Sequence, residues 1–295
     1  MDQRGSLGRW ITARTFLYAV PIRLARSGMT QLGMERFQET DKYAGYLRTT
    51  EGRLRSDLGW TNLRCFVPAD VLGRCALDVG GGTGILGLRL AELGFAVELL
   101  DSSEPMLALA GKEANARELS GRISLHQGDA TRLSDLFQPS SFHVVVCHNL
   151  LEHVVDPVAV LGGLAHVIRK DGESVVSLLV RNRCGEVLKA AIKSNDMELA
   201  KRALGAETVL DSLYGGPLRI FDPARLWQMM ERAGLEVIAQ RGVRVVSDYL
   251  KCEAPTEDTY RRLLDLELLL GAQPQFAAIA RYTQMIARAS ARRQE

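Results

Sequence analysis

The chain has 295 residues and a formal net charge of +2, enough for one generous α/β domain with additions or for two small domains. So small a charge does not by itself announce a nucleic-acid binder. No stretch approaches the roughly 20 unbroken apolar residues of a membrane span, since Phe16 to Leu24 is interrupted by Pro21 and Arg23. Cys65, Cys75, Cys147, Cys184 and Cys252 show no paired C-x-x-C spacing, so neither a disulfide framework nor a metal site is expected, and a reducing, cytoplasmic compartment fits.

Taken in chain order, the first feature is a basic start, with Arg4, Arg9, Arg14, Arg23 and Arg26 set against Asp2. Trp10, Ile11, Phe16 and Leu17 suit a helix that packs on its own domain, although an Arg-rich, acid-poor start is also the pattern of a mitochondrial transit peptide. Residues 1–70 read as a helical extension or cap in front of a sheet-bearing domain over residues 71–295. From about residue 75, short β-rich runs alternate with helical segments, the pattern of a parallel sheet with crossover helices. Strands are expected at Cys75 to Gly80, Ala96 to Asp101, Arg122 to Gln127, Phe142 to His148 and Ser174 to Val180. The stretches Leu86 to Leu93, Pro105 to Leu119 and Pro157 to Arg169 between them are amphipathic.

Residues 182–223 interrupt this alternation with a helical, mixed-charge piece, Glu186 to Ala203, and a Gly-Gly-Pro turn at Gly215 to Pro217. They read as an insertion over the site. Two further β-like runs, Leu235 to Val246 and Ala280 to Ala289, flank a helical Asp258 to Leu270. The expected fold is therefore a Rossmann-like α/β domain: seven strands, mostly parallel, with helices on both faces. The tail is basic again, with Arg281, Arg288, Arg292 and Arg293 against Glu295. Basic clusters can meet phosphates or form solvated helix faces.

The most informative segment is LDVGGGTGILGLRLAELG, Leu77 to Gly94. A strand runs straight into Gly80, Gly81, Gly82 and Gly84 and then into a helix, so the backbone turns sharply where side chains would block a ligand. Twenty-one positions after Gly80, Asp101 ends the next strand, placed with Ser102 to accept hydrogen bonds from ribose hydroxyls. Loop and acid together indicate a nucleoside cofactor. They do not choose one, because GTGILG at Gly82 to Gly87 also satisfies the G-x-G-x-x-G pattern of nicotinamide and flavin enzymes.

The string DVGGGTG, with Asp78 before the glycines, resembles motif I of the class I S-adenosylmethionine-dependent methyltransferases. In that family QGDAT, Gln127 to Thr131, would set Asp129 and Ala130 against the adenine, and CHNLLEHVVDP, Cys147 to Pro157, would close the transfer pocket. Over about residues 43 to 289 the chain resembles one branch, the bacterial tRNA carboxymethoxyuridine methyltransferases, through TTEGRLRSDLGW (Thr49 to Trp60), HNLLEHVVDP, GVRVVSDYL (Gly242 to Leu250), YRRLLDLE and ARYTQMIARAS. The resemblance implies S-adenosyl-L-methionine as cofactor, with Arg55 on its carboxylate and His148 at the end of the fourth strand in contact with it. Gly80, Gly81, Asp101, Asp129 and Ala130 match further cofactor positions. The chain departs from that branch in carrying Arg219 as the only basic residue of Glu207 to Pro223, and Arg181 where an aromatic is expected.

A tRNA carboxylate acceptor is already nucleophilic and calls for alignment and for an arginine in the pocket, for which Arg181 and Arg244 are the candidates. A small-molecule acceptor of the same chemistry is the alternative, and a hydroxyl or amine acceptor would bring in His148 or His153 as base. A non-catalytic nucleoside-binding module is the third reading, and the intact glycine loop with Asp101 speaks against it. Substrate identity and oligomeric state are not legible in the residues.

Overall fold

The computed structural model describes residues 40–211, 213–250 and 256–290. The N-terminal arginines Arg4 to Arg26, the packing helix expected around Trp10 to Leu17, and Arg292 and Arg293 lie outside these residues.

Two helices, α1 (Thr40–Arg48) and α2 (Thr50–Arg64), precede the sheet. Thr49 starts α2, its hydroxyl oxygen accepting the Gly52 N–H at 3.1 Å, so one of the otherwise unpaired first-turn amides is satisfied. The sheet region then runs β1 (Cys75–Val79), α3 (Ile85–Leu93), β2 (Ala96–Asp101), α4 (Glu104–Ala116), β3 (Ile123–Gln127), α5 (Leu133–Leu136), β4 (Val144–His148), α6 (Pro157–Val167) and β5 (Val175–Arg181). Next come α7 (Arg183–Leu188), which passes directly into a π turn at Lys189–Lys193, then α8 (Met197–Gly205) and a small hairpin, β6 (Thr208–Leu210) and β7 (Pro217–Arg219). The chain continues with α9 (Pro223–Arg232), β8 (Leu235–Val243), α10 (Glu257–Gly271), α11 (Pro274–Ala277) and β9 (Tyr282–Ala289).

Among the described residues seven strands form one sheet in the order β3-β2-β1-β4-β5-β9-β8. The first five are parallel, and β9 lies antiparallel between β5 and β8. All seven expected strands are present. The expected helical piece Glu186 to Ala203 is interrupted. Asp196 stops and restarts it by accepting the Leu199 N–H at 2.8 Å, and a competing side-chain acceptor of this kind is a helix boundary. The hairpin beyond it turns through Gly215 and Gly216, both at positive φ (72° and 77°).

Alternation along the strands builds a core on each face of the sheet. In β4, Val145 and Cys147 join Leu161, Leu164, Leu226 and Met230 from α6 and α9 on one side. Val144 and Val146 join Leu63, Leu86 and Leu90 from α2 and α3 on the other. Helices α6 and α9 begin alike, Asp156 and Asp222 each accepting two amides ahead of a proline at the first position, where the missing N–H costs nothing. Helix α2 is also fastened to α10. Arg53 donates to both carboxylate oxygens of Glu257 at 2.9 Å, and the Tyr260 hydroxyl donates to Asp57 at 2.6 Å. No helix among the described residues is long and apolar enough to cross a membrane.

Candidate active site

The carboxyl ends of β1, β2, β4 and β5 deliver Gly80, Asp101, His148 and Arg181 to one edge of the sheet, where open α/β sheets bind ligands. Because β9 is antiparallel, its first residue, Tyr282, reaches the same edge, directly opposite Arg181 and Val243 in register. A cavity of about 410 Å³ lies there. It is lined by Gly80, Gly82, Asp101, Ser102, Asp129, Ala130 and His148 on one side and by Arg181, Arg244, Arg281 and Tyr282 on the other, with Arg55 between.

The loop after β1 is made by its glycines. Gly80, Gly82 and Gly84 sit at φ of 68°, 53° and 81°, the left-handed region that costs other residues energy. A Cβ on Gly80 would stand 2.8 Å from the Leu150 side chain. The Gly80 and Gly81 amides both donate to the Leu100 carbonyl, at 2.7 and 3.2 Å, so the turn is tied to the neighbouring strand.

Asp101 completes that tie. Its Oδ2 accepts the Gly82 N–H at 2.8 Å and its Oδ1 the Ser103 N–H at 2.9 Å, leaving each oxygen a further lone pair on the cavity side. Burial pushes its carboxyl above the ordinary aspartate value, and the backbone donors oppose that shift. Asp129 similarly accepts the Thr131 N–H at 2.8 Å through Oδ1, and Ala130 is buried against the core beneath it.

Asp78 takes a different position. It is buried, its Oδ2 accepts the Gly87 N–H at 2.8 Å, and with Gly81 it borders a smaller recess shared with Arg55 and His148. Burial raises its carboxyl to about 7, with the Gly87 donor working against the shift and Asp101 adding to it. Asp78 thus anchors the start of α3 under the loop.

His148 stands at the end of a buried polar chain. Asn62 donates to Gln284 Oε1 at 3.0 Å, and Gln284 Nε2 donates to the Gly59 carbonyl and to Ser177 Oγ, both at 2.9 Å. Ser177 Oγ in turn lies 2.8 Å from His148 Nε2, a hydroxyl that can accept from Gln284 and still either donate to the ring or accept from it. Burial and the nearby Arg55 hold the imidazole down to about 3, so the ring is neutral and weakly basic. Gly59 permits this packing, since a Cβ there would meet the ring at 3.3 Å.

Arg55 is buried among aromatic rings, its Cζ 4.9 Å from the Tyr46 centroid and 5.8 Å from that of Tyr282, with Nη2 donating to the Tyr43 hydroxyl at 3.1 Å. Burial disfavours its charge, but the surrounding tyrosines outweigh that and push its affinity for the proton up. Arg181 donates to Glu186 at 2.9 Å and its own amide donates to the buried Glu152 at 2.8 Å. Arg244, itself at φ of 62°, pairs with Asp248 and donates to the Tyr46 hydroxyl at 3.2 Å. Its turn is gripped by Glu267, fully buried, whose carboxylate accepts the amides of Val245 at 2.5 Å, Val246 at 3.0 Å and Ser247 at 2.7 Å.

The candidates read from the sequence therefore converge, with Asp78 and Gly81 behind the loop and the rest around the main cavity; His153 lines it as well. Residues not foreseen are Tyr43, Tyr46, Lys189, Glu152, Arg281 and Tyr282. The signal for the last two was the run RYTQ at the start of the final strand: its antiparallel direction brings Arg281 and Tyr282 to the functional edge.

The methyltransferase domain family matches residues 73–234. The tRNA 5-carboxymethoxyuridine methyltransferase of Escherichia coli K12 is 31% identical over 243 residues, covering 81% of this chain and 90% of that one. The chain belongs to the class I S-adenosylmethionine-dependent methyltransferases. A ubiquinone biosynthesis O-methyltransferase of Thiobacillus denitrificans is 29% identical over 208 residues, covering 69% and 81% of the two chains. In three dimensions an S-adenosylmethionine-dependent methyltransferase of Thermotoga maritima superposes with a TM-score of 0.56 at 14% identity, covering 87% and 99%, which bears on the fold alone. The methyltransferase cofactor is S-adenosylmethionine, and the glycine loop fits a ligand pressed against bare backbone, since Gly82 lines the cavity and a Cβ there would meet only Tyr43, at 3.8 Å.

Proposed function

We propose that this methyltransferase esterifies a carboxylate carried by a modified wobble uridine of tRNA. The observation behind this reading is the concentration of guanidinium groups, Arg181, Arg244 and Arg281, in the half of the cavity away from the glycine loop. Guanidinium groups recognise a carboxylate through directed, charge-assisted hydrogen bonds. Two further facts agree with it. His148, held down to about 3, is a poor base at neutral pH, so the site suits an acceptor that has no proton to lose. The Escherichia coli relative is named for 5-carboxymethoxyuridine in tRNA.

In this reading Gly80 and Gly82 would press on the amino-acid end of the cofactor, Asp101 would hold the ribose, Asp129 and Ala130 the adenine, and Arg55 the cofactor carboxylate. Bound S-adenosylmethionine supplies a methyl group on a sulfonium, whose positive charge is lost on transfer. Arg181 and Arg244 would hold the acceptor oxygen in line with that methyl, the contribution of orientation that a near-attack geometry requires.

Nucleoside mass spectrometry of tRNA from a strain lacking this chain tests the proposal: the methyl ester of a carboxylated uridine is expected to disappear and to return with wild-type protein but poorly with Arg181→Met. An unchanged nucleoside profile, together with no salt-sensitive binding of tRNA, would instead point to a small-molecule acceptor.

A further inference from the structure

The acceptor half of the cavity carries more guanidinium charge than carboxylate. Arg181 pairs with Glu186 at 2.9 Å and faces Asp211 at 3.9 Å, Arg244 pairs with Asp248, and Arg281 lies 2.5 Å from Glu186 and 3.4 Å from Asp248. Arg55 adds a fourth guanidinium, with tyrosines as its partners and, among the described residues, no carboxylate at salt-bridge distance. Glu152 and Lys189 border the cluster with opposite charges, and burial pushes each toward its neutral form. Apart from that oppositely charged pair, four guanidiniums meet three carboxylates in a buried space, where an uncompensated charge is costly.

Tyr282 occupies the centre. It is 2% exposed, and its ring centroid lies 5.7 Å from the Cζ of Arg181 and 5.8 Å from those of Arg55 and Arg244. Arg55 reaches it from α2, and Tyr46 from α1 lines the same cavity. Arg181 comes from β5, Arg244 and Asp248 from the turn after β8, and Arg281 from the residue before β9. Burial alone would raise the phenol, but the guanidiniums outweigh it and bring Tyr282 to about 7. Tyr46, mainly through burial, is pushed up to about 12 and keeps its proton.

We propose that the phenolate oxygen of Tyr282 is the resident counter-ion of this guanidinium cluster, and that an acceptor carboxylate takes over that role as Tyr282 picks up one proton from solvent. No bond to carbon is made or broken. The phenolate becomes a phenol, and its O–H then donates to the incoming carboxylate. The exchange half rests on the carboxylate reading of the acceptor; the phenolate half does not.

The test is a pH titration of the near-ultraviolet tyrosinate absorbance of the full chain, alone and with 5-carboxymethoxyuridine, in wild type, Tyr282→Phe and Arg244→Met. A step of one tyrosinate near pH 7 is expected in wild type, absent from Tyr282→Phe and moved upward in Arg244→Met. Bound nucleoside is expected to move the wild-type step up by about one unit or more, with net proton uptake in calorimetry across buffers of different ionisation heat, greatest at a pH between the free and bound steps. A wild-type protein without the step, or a step that survives Tyr282→Phe, overturns the counter-ion. Nucleoside binding with no proton uptake overturns the exchange. Methyl transfer to an uncharged acceptor by a protein that keeps the step would sink the carboxylate reading and leave the phenolate standing.

Discussion

Replacing Asp101 by alanine removes a carboxylate that does two things. In the free protein it accepts the Gly82 and Ser103 amides at 2.8 and 2.9 Å, and its remaining lone pairs face the cavity, where the ribose hydroxyls would bond. Hydrogen bonds to a charged acceptor contribute about 1.5–3 kcal/mol each, and some of that loss is recovered by water entering the vacated space. The expected loss in S-adenosylmethionine binding is therefore about 1–3 kcal/mol, a rise in Kd of roughly 5- to 150-fold. Isothermal calorimetry reads this directly, and thermal unfolding of the same protein without cofactor separates the loop contribution from the ribose contribution. A Kd within twofold of wild type, alongside a lowered Tm, would mean that Asp101 serves the loop alone and that the sugar lies elsewhere.

Asp78 binds its proton more tightly folded than unfolded, up to about 7 against 3.8, so its contribution to stability is present at low pH and falls as pH rises between those values. Asp78→Asn keeps an oxygen for the Gly87 amide and is expected to flatten that part of the Tm–pH curve; parallel wild-type and variant curves would refute the assignment. Gly59→Ala puts a methyl 3.3 Å from the His148 ring and is expected to cost about 1–3 kcal/mol in overpacking, read in chemical denaturation, with unchanged stability as the contrary result. Glu267→Ala strands three amides behind Arg244, that of Val245 buried and those of Val246 and Ser247 partly so. About 3 kcal/mol of destabilisation is expected, with a rise in acceptor KM exceeding any fall in kcat in the folded fraction; equal effects on both would deny Glu267 a role in setting Arg244.

The residues that were legible in the sequence are those whose role is local. Gly80, Gly82 and Gly84 announce their turn because glycine adopts positive φ at the least cost, and Asp101 and Asp129 announce themselves by standing where consecutive strands end. The strands themselves follow from alternation and from the apolar runs of a sheet buried on both faces. Tyr282, Arg281 and Glu267 stayed hidden because their meaning depends on pairings across long stretches of chain: the direction of β9 brings the first two to the cavity, and α10 lays the third beneath the turn after β8. The stop at Asp196 and the π turn at Lys189–Lys193 were hidden for another reason. There a side-chain acceptor and an extra backbone residue overrode a sequence whose composition favours continuous helix.

The insertion of β9 between β5 and β8 fixes when the enzyme can begin to work. Asn62 and Gln284, bonded across 222 positions of chain, belong to the first and last pieces of the site to leave the ribosome. Until β9 has been made, the cavity lacks the wall that Arg281 and Tyr282 supply. Synthesis of β9 is what supplies that wall, and a polypeptide stopped before Arg281 would lack it.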